Sequence, residues 1–502
     1  MAKNKPVYAF EEADSKKRML LGGKGAGLSE MTRLKLPVPP GFTITTEICN
    51  KYYDNNGKLP KDVMPAVMKN IAKMEKKTGK KWNSTKNPLL VSVRSGAAIS
   101  MPGMMDTILN LGLNEKTVEG FAEQTKNPRF SWDSYRRFIQ LFGKVVFGVN
   151  DEKFDHVLDT AKEKQGVTDD SKLNVESLKT IVSKYKKICE EHTKRKFPDT
   201  PNEQLVLSIE AVFKSWMGER AIVYREKNNI TKDIANGTAV NVVTMVFGNM
   251  GDDSATGVVF TRNGHNGKKE IEGEYLINAQ GEDVVAGVRT GKSIELLKKD
   301  MPKSHKELSN ACVKLEKHFR EPQDIEFTIE QGKFYLLQTR TAKMSASALV
   351  KTSVDMVKEK LINKDKALTR IPAQQLEALL HRTMDESKIK NFKKLAKGIA
   401  ASPGAASGIV VFDVKKAIEL GDSGKKVILV RKETKPEDVP AFFSSEGILT
   451  SLGGKSSHAA IVSRGMGKPC IVGCPELKID YDNNIGTANG MTIKEGETIT
   501  ID

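Results

Sequence analysis

His458 has the clearest chemical potential in the chain, because it follows two glycines and two serines in the stretch GGKSSHAAIVSRGMGKPC. Glycines 453 and 454 permit a sharp turn, and Ser456 and Ser457 can cap a helix that continues to Val462, so we predict His458 in the first helical turn. Backbone N–H groups and the helix dipole stabilise an anion there, and a neutral imidazole is nucleophilic near pH 7. The segment therefore predicts a histidine that carries a phosphoryl group.

A second set of polar residues alternates along residues 324–340. The alternation predicts two strands, with Asp324 and Glu326 on one face of the first and Gln338 and Arg340 on one face of the second. Carboxylate and amide oxygens suit Mg²⁺, and an arginine beside them suits phosphate, as phosphoryl transfer requires. A solvated hairpin held by salt bridges is the alternative interpretation.

The turn of this hairpin decides which side chains meet. A two-residue loop would place Gln338 on the apolar face. A three-residue loop, Gln331-Gly332-Lys333, sets Glu326 opposite Gln338 and Asp324 opposite Arg340. We predict the three-residue loop, because it gathers the oxygen ligands beside the arginine.

Three upstream segments have residues that could contact phosphate. A glycine-rich stretch containing Lys24 is predicted to lead into a helix, although such a stretch is often only a helix entry. Arg94 is predicted at the end of strand 88–93, where its planar fork could bind phosphate, or where it could be an ordinary surface arginine. The loop 251–257 could offer hydroxyl and N–H groups between strands 241–247 and 258–261, or be a plain hairpin turn.

Composition excludes several classes of protein. The net charge of +17 favours anionic partners, but aromatic residues are only 6% and are not interleaved with basic ones, so single-strand nucleic-acid stacking is not indicated. No apolar run approaches the roughly 20 residues of a membrane span, and the N-terminus lacks the apolar core of a secretory signal. We expect a cytoplasmic protein with no membrane or nucleic-acid partner. Five scattered cysteines indicate reduced thiols, with a zinc site the weaker alternative.

The chain is too long for one core, and its patterns predict an α/β, or α+β, multidomain protein. Residues 341–397 show helical periodicity, which predicts a helical linker. Residues 398–502 are predicted to form a separate α/β domain.

Together these segments resemble pyruvate phosphate dikinase along nearly the whole chain. The resemblance rests on the quoted motifs and on the run GEYLINAQGEDVVAG at 273–287. Phosphoenolpyruvate synthase and Enzyme I of the phosphotransferase system share the histidine segment, but 273–287 and 465–469 are similar to the dikinase. The resemblance implies five segments: ATP-grasp N-terminal subdomain 1–112, helical insert 113–200, ATP-grasp C-terminal subdomain 201–340, helical linker 341–397 and swivelling phosphohistidine domain 398–502.

The resemblance also implies roles for individual residues. His458 would carry the phosphoryl group; Asp324, Glu326 and Gln338 would arrange the cofactor Mg²⁺. The implied nucleotide- and phosphate-binding residues are Lys24, Arg94, Thr256, Gly257, Glu282, Asp324 and Arg340. The implied reaction converts ATP, phosphate and histidine into AMP, pyrophosphate and phosphohistidine, and pyruvate then receives the phosphoryl group to form phosphoenolpyruvate.

Some positions depart from the family pattern. Lys455 stands where the family often has methionine, and Ser456 where it often has a threonine that is phosphorylated for regulation, so Ser456 is a candidate regulatory site. Ala255 replaces a frequent glycine. The family's C-terminal pyruvate/phosphoenolpyruvate barrel of about 250 residues is expected on another chain or lost by truncation. Without it, we expect a monomer that performs the nucleotide half-reaction.

Two other functions remain open at this point. The first is a stand-alone ATP-dependent phosphotransferase that passes phosphate to a different acceptor. The second is a nucleic-acid-binding protein, but a binder has no need for Lys24, Arg94, Glu326, Gln338 and His458 together.

Overall fold

Residues 4–101, 103–285, 290–378 and 392–502 are described by a computed structural model of the chain. Two units, Met1–Val246 and Phe247–Asp502, divide the chain. The mixed α/β class predicted from the sequence is confirmed. The five predicted segments stay a prediction, and 379–391 of the predicted linker lie outside the described residues.

The first unit is built on a five-stranded antiparallel sheet with the strand order β1-β2-β5-β3-β4. β5 is buried along its whole length, because it pairs on both sides and is covered by helices. The strands are β1 (Val7–Ala9), β2 (Gly41–Ile44), β3 (Val91–Ala97), β4 (Thr107–Leu111) and β5 (Thr238–Thr244).

Helices cover this sheet and fill the long connection between β4 and β5. Several begin at an asparagine whose side chain accepts a backbone N–H, as at Asn114, Asn127, Asn150 and Asn174. The helices are α1 (Arg18–Arg33), α2 (Thr46–Asp54), α3 (Val63–Thr78), α4 (Glu115–Thr125), α5 (Pro128–Val145), α6 (Asp151–Gln165), α7 (Val175–Thr193), α8 (Pro201–Ser215) and α9 (Glu219–Lys227).

The second unit contains an antiparallel sheet with the order β10-β9-β6-β7-β8. Its central strand β6 is buried throughout, between β7 and β9. The strands are β6 (Ala255–Phe260), β7 (Glu272–Ile277), β8 (Lys292–Ser293), β9 (Gln323–Glu330) and β10 (Lys333–Thr341).

A six-stranded sheet, β11-β15-β14-β13-β12-β19, forms the C-terminal part of the same unit. Its inner strands run parallel and are apolar, as expected for strands covered on both faces. A small antiparallel sheet, β16-β17-β18, packs beside it. The strands are β11 (Ile399–Ser402), β12 (Ala406–Val411), β13 (Val427–Arg431), β14 (Gly447–Thr450), β15 (Cys470–Val472), β16 (Lys478–Asp480), β17 (Ile485–Ala488), β18 (Met491–Lys494) and β19 (Thr498–Ile501).

The helices of the second unit connect and cover these sheets. They are α10 (Gly281–Val285), α11 (Leu297–Asp300), α12 (Pro302–Phe319), α13 (Ala346–Lys358), α14 (Lys364–Thr369), α15 (Ala373–Ala378), α16 (Val414–Asp422), α17 (Val439–Ser444) and α18 (His458–Met466). Across the described ranges, no helix is both long and apolar enough to cross a membrane. The five cysteines are free and buried, in agreement with the predicted reduced thiols.

Two local predictions are wrong. The loop predicted to extend to residue 257 ends earlier, because Thr256 and Gly257 lie inside β6. The alternative of a plain hairpin turn is excluded, because β5 and β6 belong to different sheets. Arg94 does not end a strand either. β3 continues to Ala97 because β5 pairs with it along its full length.

Candidate functional site

The histidine segment forms the turn and helix that its glycines and serines predict. Gly453 adopts φ +102°, a conformation that favours glycine, and α18 begins at His458 with Ser457 in extended conformation as the residue before it. The predicted position of His458 in the first helical turn is confirmed. The predicted serine cap is not formed, since the Ser457 side chain makes no capping hydrogen bond.

The His458 imidazole is almost completely buried, with 8% of the residue exposed. Its Nδ1 lies 3.2 Å from Thr434 Oγ1, and the Phe442 ring packs edge-on at 6.1 Å. Nε2 is buried and has no hydrogen-bond partner among the described residues. If Nδ1–H donates to the Thr434 hydroxyl, the lone pair on Nε2 is left available for a reacting atom.

Burial lowers the pKa of His458 to about 4, and the Glu437 carboxylate acts in the opposite direction. We expect the ring ¹⁵N shifts of His458 to stay constant from about pH 8 to about pH 5, whereas an ordinary histidine titrates near 6.5. Stability should fall as the pH drops from about 6.5 towards 4, because only the unfolded chain binds the proton there. A ¹⁵N-histidine NMR titration, with signals assigned by their loss in His458→Asn, measures this. A midpoint near pH 6.5 for His458 would contradict it.

The β9–β10 hairpin brings the predicted ligands together, but through a different turn. Glu330 pairs with Lys333 across a two-residue Gln331-Gly332 turn with φ values of +49° and +72°. The register shifts at Leu337, a bulge that restores the pairs Glu326–Gln338 and Asp324–Arg340. The predicted cross-strand pairs are therefore confirmed, and the predicted three-residue loop is wrong.

Asp324 and Arg340 form an ion pair inside this hairpin. Arg340 Nε donates to Asp324 Oδ2 at 2.6 Å, and only 1% of the Asp324 side chain is exposed. Burial raises the pKa of Asp324, which Arg340 opposes. The pKa of Arg340 is raised because Asp324 and Glu326 outweigh its burial.

The hairpin also fits a magnesium ion. Asp324 Oδ1 is buried with no hydrogen-bond partner in the described part of the chain, and the polar side chains of Glu326 and Gln338 are neighbours across the strands. Within the described ranges, no three His, Cys, Asp or Glu side chains could hold a metal by themselves. Mg²⁺ commonly takes one or two carboxylates, with phosphates and water completing its ligands, so these residues suit it.

The remaining predicted site residues of this unit differ in their burial and contacts. Thr256 is buried in β6 and donates to the Phe327 carbonyl at 3.1 Å. A side chain at Gly257 would lie 2.6 Å from the Phe327 ring, so close packing explains this glycine. Glu282 lies in α10, but its side chain is outside the described residues. Ser456 is 1% exposed, so a modifying enzyme cannot reach its hydroxyl in this conformation.

Lys24 and Arg94 lie in the first unit, on α1 and β3, which pack against each other. α1 is interrupted at Gly22 (φ +68°, ψ 166°), where any side chain would lie 1.8 Å from the Gly96 carbonyl oxygen. The break directs Lys24 towards β3, and its Cβ lies beside Gly96, two residues after Arg94. The glycine-rich stretch is thus a close contact between helix and strand.

Sequence reasoning missed four residues around the histidine segment: Thr434, Glu272, Glu274 and Arg464. Arg464 Nε and Nη2 donate to the Ala401 carbonyl, and the guanidinium stacks on the Phe260 ring at 5.2 Å. Phe260 is the partner of Asp324 across β6 and β9, so this stacking places Arg464 of α18 close to the strand that carries Asp324. The Gly273–Gly287 motif was a signal for Glu274, but no local pattern indicates Thr434.

Comparison with known proteins agrees with these features. The family model described as pyruvate phosphate dikinase, AMP/ATP-binding domain, matches residues 18–59, 55–309 and 302–361. The family model described as PEP-utilising enzyme, mobile domain, matches residues 424–502, which include α18.

Similar curated proteins cover nearly the whole chain. It is 53% identical over 498 residues to pyruvate, phosphate dikinase of Entamoeba histolytica, covering 99% of this chain and 56% of the relative. It is 50% identical to pyruvate, phosphate dikinase of Clostridium symbiosum (99% and 57%), and 46% identical to pyruvate, phosphate dikinase 1, chloroplastic, of Arabidopsis thaliana (99% and 52%). The chain thus spans little more than half the length of these relatives.

Proposed function

Because the chain belongs to the pyruvate phosphate dikinase family, we propose that it phosphorylates His458 with ATP and inorganic phosphate, releasing AMP and pyrophosphate. The observation that carries the proposal is the buried His458 ring, with Nδ1 beside Thr434 and Nε2 without a partner. This arrangement favours a neutral nucleophile at Nε2.

The products define which bonds change. To release AMP, Nε2 attacks the β-phosphorus of ATP and breaks the bond between that phosphorus and the oxygen that bridges it to the α-phosphorus. AMP leaves with this oxygen, and the β- and γ-phosphoryl groups stay together on Nε2. Inorganic phosphate then attacks the γ-phosphorus and breaks its bond to the oxygen that bridges it to the β-phosphorus. Pyrophosphate leaves, and the β-phosphoryl group keeps that oxygen and stays on His458. The proton of the neutral imidazole remains at Nδ1, where the Thr434 hydroxyl accepts its hydrogen bond.

Arg340 and Lys24 are the proposed cations for the phosphates, together with Arg94. Arg340 is held by Asp324, which orients its planar fork. Asp324, Glu326 and Gln338 would hold Mg²⁺, which neutralises charge on the phosphates when bound. Thr256, Gly257 and Glu282 remain proposed contacts to the nucleotide, and Ser456 remains a proposed regulatory position.

The names of the longer relatives suggest the next acceptor. We extend the proposal to transfer from phosphohistidine to pyruvate, which forms phosphoenolpyruvate in the whole protein. A barrel domain, as expected from the family resemblance, would bind pyruvate. An acceptor of another kind is the alternative for this second step.

Labelled ATP tests the first step. Incubation with ATP, Mg²⁺ and phosphate is expected to place acid-labile, base-stable label on the chain from β-labelled ATP. With γ-labelled ATP, the label should appear in pyrophosphate. Retention of γ-label on the chain in the presence of phosphate, or no label from either position, would contradict the proposal.

A further inference from the structure

Lys455 is engaged through its backbone and its side chain, three residues before His458. Its N–H donates to Glu274 Oε1 at 3.1 Å, and its Nζ pairs with Glu272 Oε1 at 2.6 Å. Its carbonyl accepts from Arg464 Nη2 at 3.2 Å. All three contacts fix the turn that leads into α18.

The two carboxylates share one face of β7, because they are two residues apart on a strand. Glu272 Oε2 also accepts the Gly264 N–H at 3.0 Å, so both oxygens of this carboxylate have a partner. Burial raises the pKa of Glu274, and the neighbouring Glu272 carboxylate adds to that effect while Lys455 opposes it. Lys455 therefore relieves a local excess of negative charge.

The backbone at Gly454 fits against the same carboxylate. A side chain there would lie 2.2 Å from Glu274 Oε1 and 2.3 Å from Oε2. The histidine segment therefore approaches β7 as closely as a backbone without a Cβ allows, which brings the Lys455 N–H within reach of Glu274.

We propose that Lys455 is a positioning residue that holds the segment Gly453–Ser457 on β7 by its charge pair with Glu272, and so presents His458 for phosphorylation. The effect on phosphorylation rests on the proposed function, whereas the contact itself does not. The Lys455 side chain is 37% exposed and that of Glu272 14%, so salt can screen the pair. A methionine at this position would remove the cation that pairs with Glu272.

Amide hydrogen exchange of Lys455 in the full chain tests the contact without nucleotide. We expect exchange about tenfold faster in Lys455→Glu and in Glu272→Lys, with the charge-swapped double variant restored to within about threefold of wild type. Raising KCl from about 0.05 to about 0.5 M should speed exchange in wild type but not in Lys455→Met. Lys478→Met, an exposed lysine on β16, is the matched control and should exchange as wild type does.

The salt comparison keeps the test decisive if a charge-reversed variant fails to fold. Equal salt dependence in wild type and Lys455→Met would overturn the proposal, and so would a folded double variant that shows no restoration.

The labelling rate then tests the consequence for His458. It should fall about tenfold in Lys455→Met and lose most of its sensitivity to KCl. A normal labelling rate in Lys455→Met would overturn the positioning role. Absence of label in wild type would instead contradict the proposed function, and the exchange result would then decide the contact alone.

Discussion

Replacing His458 with asparagine is expected to reduce labelling from β-labelled ATP to less than about one thousandth of the wild-type rate, because the variant lacks the nucleophilic nitrogen. Asparagine is polar and smaller than histidine, so the helix start at α18 should survive the change. The measurement is the initial rate of acid-labile label by rapid quench, with amide exchange of α18 as the check on folding.

A milder variant, Thr434→Val, separates the role of the imidazole as nucleophile from the role of its hydrogen-bond partner. Thr434→Val keeps the imidazole and removes only the hydroxyl that lies 3.2 Å from Nδ1. Losing this hydrogen bond should slow labelling about fivefold to tenfold, since Nδ1–H is no longer held. Undiminished label in folded His458→Asn would show that another residue carries the phosphoryl group.

Replacing Arg340 with methionine is expected to slow labelling about 10²- to 10³-fold, the loss typical of removing one positioned donor to a developing negative charge. The Nε of Arg340 donates to Asp324, and the two terminal nitrogens of the guanidinium are proposed to bind phosphate. Arg340→Lys keeps the charge without the planar fork, so an intermediate rate is expected. Rapid-quench labelling at saturating ATP measures the three rates.

A measurement of unfolding free energy separates the structural effect of Arg340→Met from its effect on phosphate binding. Arg340→Met leaves the buried Asp324 carboxylate without its cation, which should cost about 3 kcal/mol of unfolding free energy. Because the pKa of Asp324 is raised, this loss should be smaller near pH 4 than near pH 7. Asp324→Asn combined with Arg340→Met should recover much of the stability and none of the activity. A labelling rate within about threefold of wild type in Arg340→Met would contradict the phosphate role.

Much of the site could be predicted because its signals are local. Glycines 453 and 454 with two serines predict a turn and a helix start over a few residues, and α18 begins at His458 as expected. The alternation along 324–340 likewise predicts two strands with polar groups on shared faces. These inferences need only the periods of helix and strand.

The turn and the bulge that set the register of the hairpin could not be predicted from these periods. The chain makes a tight turn at Gln331 and Gly332, whose left-handed conformations match the twist of the strands, and absorbs Leu337 as a bulge. Chemistry identified the right partners, but only the packing of β10 on β9 decided where the extra residue lies. Arg94 is a similar case, since its strand extends because β5 pairs with it.

The sequence by itself determined where the histidine lies, which polar side chains of the hairpin are the candidate oxygen ligands and phosphate-binding arginine, and the family to which their motifs belong. Tertiary structure decided what is distant along the chain: Thr434 beside Nδ1, Phe442 edge-on to the imidazole, and Glu272 and Glu274 against Lys455. The last two pairings join residues more than 180 positions apart. Burial among such partners, which no local pattern contains, is also what keeps His458 neutral.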